Sequence, residues 1–245
     1  MASGLSAAEL LELADAGASA DVAQRGLLLL EAAGGDGDAL AIGLGARDAA
    51  VLELRCATFG DTLPARISCP ACGMLLSTEI ARAELGGPGL SGVGGVCEVR
   101  VVAGDIVVEA RTPDGAALAR AAAEPDVDGA RRSLIESCLV AAHRGEEVVE
   151  PLALPEGVLE QVGDALLEAD PRSEMRVDLT CAGCSHAWAP VLDPVLFFWR
   201  ELAATSVQII DDVHQLATGY GWSEEEVLRL SSRRRRRYVE RLLGA

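Results

Sequence analysis

"ISCPACGML", residues 67–75, and "LTCAGCSHAW", residues 179–188, decide how this sequence is to be folded. Each holds two cysteines with two residues between them, Cys69/Cys72 and Cys181/Cys184, and each is flanked by apolar, strand-forming residues. A Cys-x-x-Cys turn brings two thiolates to one ion without strain, and two such turns supply the four sulfurs that a structural, tetrahedral zinc prefers. Gly73 after the first pair and Gly183 inside the second are the expected permissive backbone positions. The reading is therefore one structural zinc per chain, held by Cys69, Cys72, Cys181 and Cys184, with strands on either side of each knuckle as in a zinc ribbon. Residues 73–180 separate the two pairs, where ordinary ribbons use about 15–20 residues. The intervening chain must then be an insertion whose two ends return to the same point.

Other readings of the cysteines are weaker. A redox dithiol is expected to open a helix in a βαβ setting, and neither motif does. A catalytic zinc keeps one position open for water, whereas four thiolates leave none. His186 follows Cys184 closely, but four cysteines already complete a site, so it reads as a strand histidine. Cys56, Cys97 and Cys138 sit among apolar residues and read as small buried hydrophobes. Seven cysteines in all, clustered in pairs with an odd one left over, suit a reducing compartment and a metal better than a disulfide framework.

Composition narrows the function classes. With 38 acids against 21 basic residues, all of them arginine, the net charge is −17. That balance argues against general nucleic-acid binding, which rewards dense positive charge, and against docking on an anionic membrane. The first basic residue is Arg25, and the leucine run 27–30 is cut by Glu31. Neither a charged leader nor a spanning helix of about 20 residues is predicted, and a cytoplasmic location follows. The sequence holds no Gly-rich phosphate loop, nucleophile elbow or H-E-x-x-H, and its three histidines are scattered. No enzyme, no catalytic or cofactor-binding residues beyond the zinc ligands and no small-molecule substrate are expected.

The elements follow from caps and periodicity. Ser6 and Glu9 form a capping box with Leu5 and Leu10 as its staple, and Gly17 ends that helix. Further helices are predicted near 20–33 and 46–58, with a turn at "GGDGD" (34–38). Strand, knuckle and strand occupy 65–80, a Gly-rich connector 86–95, and a β-hairpin 97–111 turning at Gly104-Asp105. Helical texture returns at 114–123, 128–143 and 155–169. Strand 175–180 leads into the second knuckle and 186–191 leads out. Asp193-Pro194 starts a long helix to about Gly219, and two short helices follow, the first capped by Ser223 with Glu226. The fold class is α+β, with helical regions at 1–60 and 193–245. Between them lies a four-cysteine, zinc-ribbon-like β module in two halves, 61–112 and 172–192, separated by a helical insertion at 113–171.

Val195, Trp199, Leu202, Ile209, Val213 and Leu216 recur at a seven-residue spacing along the long helix. Such a stripe packs on the chain's own core or forms a seam with a partner. Trp199, Leu202, Tyr220 and Trp222 are the candidate partner-binding residues. Arg233 to Arg237 are five consecutive arginines. Spread over more than one helical turn, they read as a solvated ring that pairs with the chain's own acids or docks on an acidic partner.

The order of features resembles a known family. "LSAAELLELADAG" (5–17), "RGLLLLEAA" (25–33), "LGARDAAVLELRCATFGDTL" (44–63), "CPACG" (69–73), "DLTCAGCSHAWAPVLDPVLFFWREL" (178–202) and "VHQLATGYGWSEEEVLRLSSRRRRRYVERLL" (213–243) carry the resemblance. It is to a bacterial family encoded beside phage-tail-like contractile injection systems, and more distantly to the baseplate-hub assembly proteins of contractile-tailed phages. The resemblance implies a structural or assembly role in the baseplate or hub, with other baseplate or hub subunits as partners, either as a component that stays in the finished particle or as a factor that acts only in its assembly. The alternative on the residues alone is a zinc-ribbon adaptor in transcription or another nucleic-acid process.

Overall fold

In the computed structural model, which describes residues 3–34, 38–85 and 95–244, the helix caps behave as local chemistry requires. The Ser6 hydroxyl accepts from the Glu9 amide and the Glu9 carboxylate accepts from the Ser6 amide, opening α1 (Ala7–Ala16). An Asp21/Gln24 box does the same for α2 (Val22–Ala32). Gly17 does end α1, but with φ −100°, not left-handed; a Cβ there would lie 2.0 Å from the Trp199 ring. Its glycine is therefore demanded by packing. The turn expected at 34–38 and the connector at 86–95 fall mostly outside the described residues.

α3 (Leu44–Phe59) follows, then an antiparallel hairpin of β1 (Thr62–Ser68) and β2 (Leu75–Ala81) with the first knuckle at its tip. β3 (Glu98–Ala103) and β4 (Ile106–Arg111) form the expected hairpin, with Gly104 at φ +64° in its turn. α4 (Gly115–Ala122) and α5 (Val127–Cys138) are capped by Asp114 and Asp126. The predicted helix 128–143 stops five residues early. Residues 139–144 become β5 (Leu139–Arg144), which pairs with β4 and with the two-residue β6 (Glu147–Val148). The insertion is thus not purely helical: it adds β5 and β6 to the β3–β4 hairpin that precedes it, giving a four-stranded sheet in the order β3-β4-β5-β6. An available edge on β4 outweighs the helix propensity of this alanine-containing run. α6 (Glu156–Ala169) covers the sheet, and Val158 and Val162 close a core with Ile106, Val108, Ala110, Ala142 and Leu154.

After α6 the chain runs through β7 (Met175–Arg176) and β8 (Leu179–Thr180), turns at the second knuckle, and returns through β9 (Ala187–Trp188) and β10 (Val191–Leu192). β8 pairs with β9 and β7 with β10. Then come α7 (Pro194–Tyr220), capped by the Asp193 carboxylate, α8 (Glu224–Leu228), with its Ser223/Glu226 box, and α9 (Ser232–Leu242).

α7 organises the ends of the chain. Val195, Phe198, Trp199, Leu202 and Ile209 pack with Leu10 of α1, Leu29 of α2 and Val51 and Leu54 of α3. The opposite side of α3 and the flank of α7 join the β module: Leu52, Cys56, Leu63, Ile80, Leu85, Met175 and Val177 form a core against which Leu192 and Phe197 pack. Arg55, 2% exposed, lies at the junction. Its Nε and Nη2 donate to the Glu201 carboxylate, both at 2.7 Å, and Nη1 donates to the carbonyls of Gly60 and Thr62. The bidentate pair locks α3, the entry to β1 and α7 in one geometry. The Asp170 carboxylate accepts from the Gly45 amide at 3.0 Å, capping α3, whose N-cap Gly43 offers no side chain. The end of α6 is thereby held against α3.

Cys56 and Cys138 are buried as expected; Cys97 is half-exposed. No helix among the described residues is long and apolar enough to cross a membrane.

Candidate metal centre

The two knuckles are built by the same hydrogen bonds. In the first, the Cys69 amide donates to the Met74 carbonyl and the Gly73 amide to the Cys69 carbonyl, both at 2.9 Å; in the second, Cys181 donates to His186 at 2.9 Å and Ser185 to Cys181 at 2.8 Å. Each turn needs a left-handed residue directly after its second cysteine. Gly73 supplies it at φ +74°, and Ser185 at φ +60°. The expected role of Gly183 is therefore corrected. Ser185 carries the left-handed conformation, and a Cβ at Gly183 would come within 2.7 Å of Met74 Sδ, so that the exposed Met74 side chain would have to give way. Residue preference does not pick Ser185, since serine seldom adopts this conformation, but aligning the two motifs on their cysteines places it opposite Gly73.

The knuckles face each other, so that residues more than a hundred positions apart converge. Cys69 Sγ lies 3.7 Å from Cys184 Sγ, and Cys72 Sγ 3.6 Å from Cys181 Sγ. All four sulfurs lie within 4.8 Å of one another. Bonds of about 2.3 Å from zinc to sulfur in a tetrahedron require sulfur separations of about 3.8 Å, so the four cysteines could hold a metal ion with little movement. Cys69 and Cys181 are buried and Cys72 and Cys184 exposed, placing the group at the surface with one ligand of each knuckle anchored in the protein.

Local dipoles favour charge on one sulfur. The backbone amide of Cys184, followed by that of Gly183, draws the Cys181 thiol down to about 7 against the effect of desolvation; the Gly183 amide is 3.4 Å from this sulfur. A thiolate is the form that binds a metal. His186 is exposed and stacks on Trp188 with centroids 5.9 Å apart. It stands apart from the four-cysteine group.

The candidate partner residues separate into two pairs. Trp199 is 6% and Leu202 0% exposed, both within the chain's own core. Their expected place on a partner surface is corrected: the seven-residue seam faces inward because α1, α2 and α3, together with α8 and α9, pack on α7. Tyr220 remains 40% exposed and stacks on Trp222 at 4.9 Å, while Tyr238 of α9 meets Trp222 edge-on at 4.9 Å. The arginine run divides as well. Arg235 is buried and paired with Asp212, and its four neighbours in the run are exposed. Asp212 as the acceptor escapes sequence reading, since it is one of many acids on helix faces.

A family model described as "T4 bacteriophage base plate protein" matches residues 28–199, a stretch that holds both cysteine pairs. No curated protein and no solved structure matches the chain.

Proposed function

The chain belongs to the T4 bacteriophage base plate protein family, and from that premise we propose that it is a structural or assembly component of the baseplate or hub of a contractile, phage-tail-like particle, with one structural zinc and no catalytic step. The family agrees with the resemblance carried by the sequence, and the match across residues 28–199 is the observation that carries the reading. A baseplate role implies contact with other baseplate subunits. The protein would be made in the cytoplasm and enter the particle from there.

The convergence of Cys69, Cys72, Cys181 and Cys184 supports the zinc. Thiolates in a tetrahedral set are the donors zinc takes, and four of them leave no position for a reacting water. The ion's work is then architectural: it would hold two short hairpins together across the whole insertion. The β1–β2 hairpin and the β8–β9 hairpin would act as one unit through it.

Deleting the gene from a producing cell tests the reading. Particles lacking a complete baseplate are expected, with assembly restored by the parent gene in trans. Recovery of complete, contractile particles without the gene sinks the proposal.

A further inference from the structure

α9 uses its arginines in two ways. Arg235, 5% exposed, turns inward: its Nε is 3.3 Å from Asp212 Oδ2 and its Nη1 donates to the Leu230 carbonyl at 3.0 Å. Leu242, on the same side of the helix, fits against Gly219 of α7, where a Cβ would lie 2.5 Å from Leu242 Cδ2. These contacts fix which way the helix is turned. Arg233, Arg234, Arg236, Arg237 and Arg241 are consequently directed to solvent.

Elsewhere several arginines of this acid-rich chain find carboxylates, among them Arg55 with Glu201, Arg82 with Glu53, Arg144 with Asp105 and Arg229 with Glu225. Those that do not, such as Arg66, Arg100, Arg132 and Arg200, are scattered singly over different elements. None of the five outward arginines of α9 pairs with an acid among the described residues. Like charges this close on one helix repel. A chain of net charge −17 thus concentrates unneutralised positive charge on a single eleven-residue helix.

Positions 234, 237, 238 and 241 fall on one helical face, and Arg234, Arg237, Tyr238 and Arg241, with Glu240, line one surface concavity. The aromatic cluster borders it. Tyr238 touches Trp222 and lies 5.9 Å from Tyr220. These are both of the chain's two tyrosines. Arginine, tyrosine and tryptophan are the residues that dominate protein–protein binding energy, and guanidinium groups take carboxylates bidentately.

We propose that this face of α9, with Tyr220 and Trp222 at its edge, is a docking surface for an acidic segment of a neighbouring protein subunit. The inference rests on the baseplate reading, which supplies neighbouring subunits, and names their chemistry at the contact. A short acidic segment can stay within the roughly 16 Å of an eleven-residue helix. A duplex, charged about every 1.7 Å, extends past it into the field of the chain's own acids. A second copy docking its acids here would make a head-to-tail contact, which closes into a ring or propagates as a filament and shows as self-association in the test.

The test uses the full chain with a labelled oligoglutamate peptide and a labelled DNA duplex. One variant carries Arg234→Gln, Arg237→Gln and Arg241→Gln. A second carries Arg233→Gln and Arg236→Gln, which lie outside that concavity and line an adjoining one with Arg237, and both retain Arg235. The parent is expected to bind the peptide. The first variant should bind it at least about tenfold more weakly with an unchanged melting midpoint, and the second should bind it nearly as well as the parent. Absence of peptide binding, equal losses in the two variants, tighter binding of DNA at the same ionic strength, or self-association that disappears in the first variant would each overturn the proposal. In the producing cell, normal particles from the first variant while gene deletion blocks assembly would remove this surface and leave the baseplate role standing; normal particles after deletion would remove the role itself.

Discussion

A Cys181→Ser exchange takes away one of the two buried sulfurs of the four-cysteine group, and the expected loss reaches well beyond that corner. The zinc proposed there would tie residues 109 and 115 positions apart in the chain. If the tie persists in the unfolded chain it acts as a cross-link, and closing a loop of roughly 100 residues is worth about 5 kcal/mol. If the ion leaves on unfolding, its binding free energy adds to folding instead, on the order of 10 kcal/mol for a structural zinc. The second knuckle depends on it most, because β8 and β9 share only two paired positions. For a chain of this size each kcal/mol moves the melting midpoint by about 2–4 °C. The smaller estimate therefore corresponds to a fall of at least about 10 °C. Calorimetry on parent protein, chelator-treated protein and the serine variant, with metal content measured alongside, provides the assay. One equivalent of zinc in the parent and a lowered midpoint in both other samples are expected. Parent protein purified without added zinc and holding under about half an equivalent, or a variant melting with the parent, refutes the reasoning.

Two further outcomes bear on the fold. Gly17→Ala places a methyl group 2.0 Å from Trp199 Cη2 at a backbone angle alanine tolerates, so its cost is steric, about 1–3 kcal/mol of overpacking; a urea midpoint equal to the parent's would show that the ring moves freely. Asp48 has a pH signature. Burial lifts its carboxyl from 3.8 to about 6 although Arg47 bonds to it. A folded-state value above the unfolded one means that the stabilising contribution is complete below about pH 4 and disappears as pH rises through about 6. Asp48→Asn should flatten the stability profile across that interval, and unfolding curves of unchanged slope against pH would contradict the assignment.

For the assembly reading, the rigid parts and the contact parts of the molecule are different. The α7 seam, the Arg55–Glu201 pair and the Asp170 cap on α3 hold the chain to itself. The outward face of α9 and the Tyr220–Trp222 turn are left for others. Substitution at Trp199 is therefore expected to act on folding and, if the proposed docking surface is right, substitution at Trp222 or on the arginine face is expected to act on association.

What the sequence by itself determined is what closes within a few residues or repeats by motif. Ser6 with Glu9, Ser223 with Glu226 and Asp193 with Leu196 make their bonds three residues apart, so helix starts were legible. The cysteine spacing was legible for the same reason: each Cys-x-x-Cys is complete on its own turn, and two of them ask for each other. Tertiary structure decided the rest. Residues 139–144 suit a helix until the edge of β4 offers them a ladder, and that edge is drawn from another part of the chain. The heptad spacing on α7 says that one side is apolar, but only the placement of α1, α2 and α3, with α8 and α9, makes that side the interior. Five adjacent arginines look equivalent in one dimension; Asp212, 23 residues before Arg235, and the gap at Gly219 rotate α9 so that Arg235 goes inside and its neighbours face outward. In each case the deciding partner is distant in sequence, and its energy is invisible until the chain has closed.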